Sequence, residues 1–183
     1  MAEGEVLQLY YNGNPSMPEE EYLKIVEHKT AGLMAASCRM GAILADASDA
    51  QQDALFRFGL HLGIAFQVAD DTLDYTANGD HLGKSLGQDL REGKATLPLL
   101  HLLHHCSDQD RQMIIDRMET RTHSEEDLGR FIRLMENLGS ITYAMDRARS
   151  YIAAAHRDLD QFEDSTAKRA LSVTADYIVT RDR

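Results

Sequence analysis

Residues 50–76 carry no proline and, from Leu55 onward, are nearly all apolar. A helix that is hydrophobic almost all round cannot lie on a surface, so other elements must wrap it. Upstream, a helix predicted over 18–45 ends in "AGLMAASCRMGAILA", a run of small residues that permits close helix packing. Residues 1–12 read as the tail of a helix that stops in the breaker cluster Asn12-Gly13-Asn14-Pro15. Pro18 and the acidic run Glu19 to Glu21 suit the first turn of the 18–45 helix.

The third helix is expected to end at Asn78-Gly79, and residues 79–94 form a Gly-rich charged loop with no clean period. Further helices are predicted over 95–105, from Ser107 onward, over 123–140 with Ser124 as cap and Gly139 as stop, over 140–162, and over 165–180 with Ser165 as cap. No strand, internal repeat or low-complexity segment is legible. With 3 Pro, no Trp and abundant helix formers, the expected fold class is all-α. The architecture expected is a bundle of about seven or eight helices.

The formal net charge of −11 makes nucleic acid and anionic membrane surfaces poor partners. Cys38 and Cys106 have no CxxC spacing, so a reduced, cytoplasmic setting is expected, with both thiols as core fillers. Glu3 and Glu5 stand where a signal peptide would be positive, and no run approaches ~18 uninterrupted apolar residues. No stable membrane insertion is expected.

Against that background "FQVADDTLDY", residues 66–75, is anomalous. Asp70, Asp71 and Asp74 sit among Phe66, Val68, Ala69, Leu73 and Tyr75. Positions i, i+1 and i+4 of a helix are neighbours, so the three carboxylates are expected within one patch. Like charges that close repel unless a cation neutralises them, and carboxylate oxygens suit a hard ion such as Mg²⁺ that also bridges to phosphate. From spacing alone, a metal site and a solvated acidic face both remain open, although the apolar flanks fit the second poorly. Downstream, Lys84 and Lys94 bracket Asp89 among Gly79, Gly83, Gly87 and Gly93. Glycines let backbone approach a ligand, and lysines supply point charges for phosphate; a surface loop is the plain alternative. Lys29-Thr30 marks where a solvated helix face passes into a packed one, a suitable place to present polar groups to a pocket.

Taken in order, these segments resemble the trans-type polyprenyl diphosphate synthases, long-chain bacterial type. "EHKTAGL" with the Gly-Ala of "CRMGA" is similar to the family's Lys-Thr segment. "FQVADDTLDY" is similar to its second aspartate-rich motif, and "GKSLGQDLREGKATLPLL" to its Gly-Lys…Asp-Leu…Gly-Lys-x-Thr-Leu-Pro segment. The resemblance is densest over residues 3–103. It implies an isoprenoid-synthase helical bundle that condenses isopentenyl diphosphate head-to-tail with an allylic diphosphate, using Mg²⁺, in a homodimer. By motif match Asp70 would ligate Mg²⁺, with Asp71 and Asp74 as further ligands or outer partners. Lys29, Lys84 and Lys94 would contact the allylic diphosphate, and Thr30 and Gln67 would turn oxygens toward the developing cation. Phe66 would pack by the isopentenyl group, and Asp89 would orient a lysine.

The family carries two aspartate-rich motifs facing one cavity, and only the second is found here; "EEDLGR" at 125–130 and "DQD" at 108–110 have the wrong spacing. The isopentenyl-diphosphate-binding basic segment and the chain-length residues are also unmatched. The expectation is therefore one partial domain over 1–183, equivalent to the C-terminal portion of such an enzyme. Alone it would be nearly inactive and would expose apolar surface where further helices pack. Alternatives are a non-catalytic or regulatory helical subunit of a heteromeric prenyl synthase, a class I terpene cyclase, whose second metal motif differs, and an iron-binding carboxylate bundle, which wants Glu-x-x-His pairs that are not found.

Overall fold

The computed structural model describes residues 1–76, 87–120 and 124–181. Among them every regular element is helical. The order is α1 (Ala2–Tyr11), α2 (Glu19–Val26), a π turn (Glu27–Ala31), α3 (Gly32–Leu44) and α4 (Asp49–Leu73). It continues with α5 (Gln88–Arg91), α6 (Leu97–His105), α7 (Asp108–Thr120), α8 (Glu125–Asn137), α9 (Ser140–Asp158) and α10 (Thr166–Thr180).

All eight helices read from the sequence form. The one predicted over 18–45 is a single rod, α2 running through the π turn into α3. The segment read as a loop over 79–94 holds one more, the single turn α5, at its described end. Side-chain caps set several starts. Ser48 accepts from Gln51 N–H while the Gln51 side chain accepts from Ser48 N–H, and Ser124 with Asp127 repeats this capping box at α8. Ser165 accepts from Lys168 N–H at α10, and Ser107 accepts from Asp110 N–H before α7. Gly139 stands at φ +71° between α8 and α9, where its missing side chain carries no penalty.

The nearly apolar helix, α4, packs on α3 along one side and α9 along the other. Its contact with α3 and the π turn is unusually close. A Cβ on Gly59 would stand 2.8 Å from Ala35 Cα, and one on Gly63 would stand 2.5 Å from Ala31 Cα. α9, which packs on α4, buries Ala144, Ala148, Ile152 and Ala155 at helical spacing, three of them small. Polar groups fasten the same pair: Arg57 Nε donates to Asp158 Oδ1 at 2.9 Å, and His61 Nδ1 lies 2.7 Å from Asp158 Oδ2. Phe58, Val68, Leu99, Ile114, Phe131 and Met135 fill the core.

Both cysteines are free, Cys106 buried and Cys38 half-buried. In the "HLLHH" segment His101 is half-buried and stacks on His105 with ring centroids 4.0 Å apart. Large apolar side chains stand exposed on α1 (Val6, Leu9, Tyr10) and α3 (Leu33, Met40, Ile43). No helix among the described residues is long and apolar enough to cross a membrane.

Candidate functional site

Four stretches of chain converge on a cavity of about 130 Å³. α1 contributes Gln8 and Tyr11, and α2 with the π turn contributes Tyr22, Lys29 and Thr30. The last turns of α4 contribute Gln67, Asp70 and Asp71, and the segment around α5 contributes Asp89, Lys94 and Thr96. Each of the three motifs singled out in the sequence therefore sends side chains to one place.

The π turn carries Lys29 and Thr30, and π turns interrupt α-helices frequently at functional sites. Glycines clasp it from both sides. Gly4 of α1 comes so near that a Cβ there would stand 2.5 Å from Lys29 N, while Gly63 of α4 abuts Ala31. Lys29 turns toward α1, where Nζ pairs with Glu5 Oε2 at 2.8 Å and bonds Gln8 Oε1. Thr30 turns toward α4, where its hydroxyl donates to Gln67 Oε1 at 2.9 Å.

From Gln67 a buried chain of hydrogen bonds continues. Gln67 Nε2 donates to Asp71 Oδ1 at 2.8 Å, and Tyr22 Oη donates to Asp71 Oδ2 at 2.7 Å. Asp71 is only 8% exposed. Burial, with the charges of Asp89 and Asp70, outweighs the bonds from Tyr22 and Gln67 and pushes its carboxyl up to about 7. Burial likewise drives the Tyr22 phenol well above its usual range, with the Asp71 charge adding to it.

Of the three aspartates expected in one patch, Asp70 and Asp71 both line the cavity, though they point differently, and Asp74 does not. Successive helix residues diverge by ~100°. Asp71 consequently faces inward to Tyr22, while Asp70 is exposed at the cavity rim. Asp74 sits at the C-cap of α4, where its Oδ2 accepts from Asp89 N–H at 2.9 Å and its carbonyl accepts from Gly87 N–H at 2.9 Å. It fixes the following segment and does not line the cavity. Burial raises its carboxyl above the ordinary range, opposed by the Asp89 backbone bond. Among the described residues no three His, Cys, Asp or Glu side chains stand together as a ready metal cage.

Lys94 is held by Asp89 Oδ1 at 2.8 Å and Glu92 Oε2 at 2.7 Å. Burial works against its charge, but those two carboxylates outweigh it and hold the ammonium well above its usual range. Lys84 lies outside the described residues. Phe66 is half-buried beside the cavity, covered by Arg181 of the chain end, whose guanidinium is 4.6 Å from the ring centroid and 3.4 Å from Asp70 Oδ1.

Sequence reasoning missed Gln8, Tyr11, Tyr22, Thr96 and Arg181. Tyr22 had a signal: it lies seven residues before Lys29, two helical turns along the same face. Arg181 had none, since only folding brings it to Asp70. Chemically, the cavity sets exposed and buried carboxylates on one wall against two ammonium groups on others, with hydroxyl and amide oxygens between. That is a surface for a cation and a polyanion bound together.

The Polyprenyl synthetase family model matches residues 1–135. The chain is 39% identical to octaprenyl diphosphate synthase of Escherichia coli K12 over 188 residues, which takes in 100% of this chain and 56% of that protein. It is 38% identical to all-trans-nonaprenyl-diphosphate synthase (geranyl-diphosphate specific) of Rhodobacter capsulatus, over 93% of this chain and 52% of the relative. Among solved structures, polyprenyl synthase from Caulobacter crescentus CB15, complexed with calcium and isoprenyl diphosphate, superimposes with TM-score 0.94 at 38% identity, over 100% of this chain and 56% of that one. The chain thus spans about half the length of the relatives it matches. On that family match, and on motifs that meet at one cavity, the chain belongs to the polyprenyl synthetase family.

Proposed function

We propose that this chain supplies one wall of a prenyltransferase site, where an allylic diphosphate is ionised and isopentenyl diphosphate adds head-to-tail. The single observation that carries the reading is the hydrogen-bonded line Thr30–Gln67–Asp71 between the lysines Lys29 and Lys94, with Asp70 at the rim. Its neighbour from Caulobacter, complexed with calcium and isoprenyl diphosphate, supports the same class of ligand.

In this reading Lys29 and Lys94 hold the allylic diphosphate and draw off charge as its C–O bond breaks, with Lys84 as a third cation. Their carboxylate partners, Glu5 for Lys29 and Asp89 with Glu92 for Lys94, keep both ammonium groups in place before substrate arrives. Thr30 Oγ1 and Gln67 Oε1 face the allylic carbon as positive charge develops on it. The isopentenyl double bond then attacks that carbon, and a proton is lost to complete the new alkene. Phe66 offers an apolar face to the isopentenyl chain.

The donor set fits Mg²⁺ in part. Asp70 stands at the exposed rim, where the Arg181 guanidinium already pairs with it, and Mg²⁺ takes one or two carboxylates together with substrate phosphate and water. Asp70 would be the direct ligand, with Asp71 and Asp74 behind it, and the ion would neutralise charge on the departing diphosphate. Because the relatives are nearly twice as long, we further propose that turnover requires a second wall, and that the chain alone condenses little or no substrate. A homodimer and a cytoplasmic setting complete the reading.

The test is calorimetric titration of the chain with Mn²⁺ and geranyl thiolodiphosphate, an unreactive allylic diphosphate. Binding should need the metal and should weaken at least tenfold in Asp70→Ala and in Lys29→Ala. Binding indifferent to the metal and to both substitutions would refute the site. Labelled isopentenyl diphosphate with geranyl diphosphate then measures turnover, and product from the chain alone would refute the need for a second wall. A site that binds in the first experiment but stays silent with every added partner would favour a regulatory helical subunit.

A further inference from the structure

We propose that Gly4 is a positioning residue: by leaving no side chain between α1 and the π turn, it seats α1 as the template that aims the Lys29 ammonium. The purpose assigned to that ammonium rests on the reading of the cavity as an allylic diphosphate site; the seating of α1 stands without it.

A lysine side chain carries ~2 kcal/mol of rotamer entropy, so its charge has no fixed address unless neighbours supply one. For Lys29, which lines the cavity, those neighbours stand on α1. Glu5 Oε2 pairs with Lys29 Nζ at 2.8 Å, Gln8 Oε1 accepts from it, and residues three apart share one helix face. Glu3 Oε2 adds a contact with His28 Nδ1 at 3.3 Å. Two acceptor oxygens on one helix therefore locate the ammonium, and it follows α1 when α1 moves. The Lys29 and Glu5 side chains are 36% and 54% exposed, where an ion pair adds little to stability. What the pair fixes is a direction.

Gly4 sets how close the template stands. A Cβ there would lie 2.5 Å from Lys29 N, 2.9 Å from His28 C and 2.9 Å from Lys29 Cα. All three are backbone atoms around one peptide bond, so no side chain can swing aside to make room. Alanine has to push α1 back by ~1 Å to restore ordinary carbon contact distances. α1 can yield, because it packs on the π turn and α2 and leaves Val6, Leu9 and Tyr10 exposed. Its retreat carries Glu5 and Gln8 away, and the ammonium is either released or drawn off its line to the cavity.

The first experiment uses no ligand, so its outcome is independent of whether diphosphate binds. The folded chain is acylated briefly with an amine-reactive ester, and the modified lysines are read by mass spectrometry. Lys168 is the internal control, because the oxygen that holds its ammonium, Phe162 O at 2.7 Å, does not belong to α1. In Gly4→Ala, Lys29 should react severalfold faster while Lys168 keeps its wild-type rate. Unchanged Lys29 reactivity overturns the proposal, and so does an equal rise at Lys168, which would mark a general loosening of the fold. Should Gly4→Ala not fold, Glu5→Gln keeps the shape of the template and removes its charge. It should also speed Lys29, and a wild-type rate there overturns the assignment of the aim to α1.

The second experiment is a double-variant cycle, read as Mn²⁺-dependent binding of geranyl thiolodiphosphate by calorimetry. Gly4→Ala should weaken binding about tenfold, the scale of one hydrogen bond to a charged group. Because Gly4 acts through the Lys29 ammonium, adding Gly4→Ala to Lys29→Ala should cost nothing more, whereas its loss and that of Lys94→Ala should multiply. Losses that multiply with Lys29→Ala overturn the proposal although the site binds. A wild type that binds no diphosphate refutes the reading of the cavity instead, and the acylation rates still decide the seating of α1.

Discussion

Gly63→Ala should destabilise the protein, although the change replaces a poor helix former with the best one. Taken alone, propensity favours alanine in a helix interior by ~0.5–1 kcal/mol. The structure opposes it. The added Cβ would stand 2.5 Å from Ala31 Cα, 2.8 Å from Ala31 Cβ and 3.2 Å from Met34 Sδ. Two of those atoms belong to a tightly packed residue with no exposed surface, so relief requires moving the backbone of the π turn. Overpacking of this kind costs ~1–3 kcal/mol, which leaves a net loss of up to ~2.5 kcal/mol. The displaced residue is next to Thr30, and Gln67 lies one turn beyond Gly63, so the Thr30–Gln67 bond should lengthen as well. Urea unfolding gives the stability, and titration with Mn²⁺ and geranyl thiolodiphosphate reports the site. Gly41→Ala is the control, because a Cβ there meets nothing within 4 Å and should yield the propensity gain. If Gly63→Ala stabilised as much as Gly41→Ala, the close α4–π-turn contact could not be rigid, and the reasoning would fail.

Asp71 should make stability fall as pH rises. Its carboxyl is raised from 3.8 to about 7 in the folded protein, so the native state keeps a proton that the unfolded chain has released. The contribution is full below the unfolded value and is lost on the way up to the folded one. In metal-free buffer the wild type should lose ~2–3 kcal/mol between pH 5 and pH 8 relative to Asp71→Asn. Parallel urea-midpoint profiles for the two proteins would contradict this. Separately, Asp158→Ala should cost ~1–3 kcal/mol by stripping Arg57 and His61 of their shared acceptor between α4 and α9. A melting temperature equal to wild type would show that clasp to be ornamental.

Much of the fold was legible because it is written in local chemistry. Ser48, Ser124 and Ser165 cap helices by bonding backbone groups three residues away, and that depends on nothing distant. Of these, Ser124 and Ser165 are legible as caps in the sequence, whereas Ser48 is not, and the helix expected from residue 50 begins at Asp49. The single turn α5 is not legible either. Gly87 starts it at φ +71°, where an added Cβ would collide with Leu128 at 2.3 Å, so a contact from α8 shapes it. The π turn left no mark in the period of the 18–45 helix either, since it depends on Gly4 and Gly63 pressing from other helices.

The sequence by itself determined that the chain is helical, where most helices start and stop, and which motifs carry carboxylates and lysines. Those properties follow from hydrogen bonds and periodicity within a few residues. Tertiary structure alone decided what each charge does. Adjacent positions on one helix sent Asp70 to the rim, Asp71 to Tyr22 and Asp74 to the backbone of Asp89. Spacing gives the angle between side chains, but only the packed neighbours say which angle is buried, which is solvated, and which partner waits there.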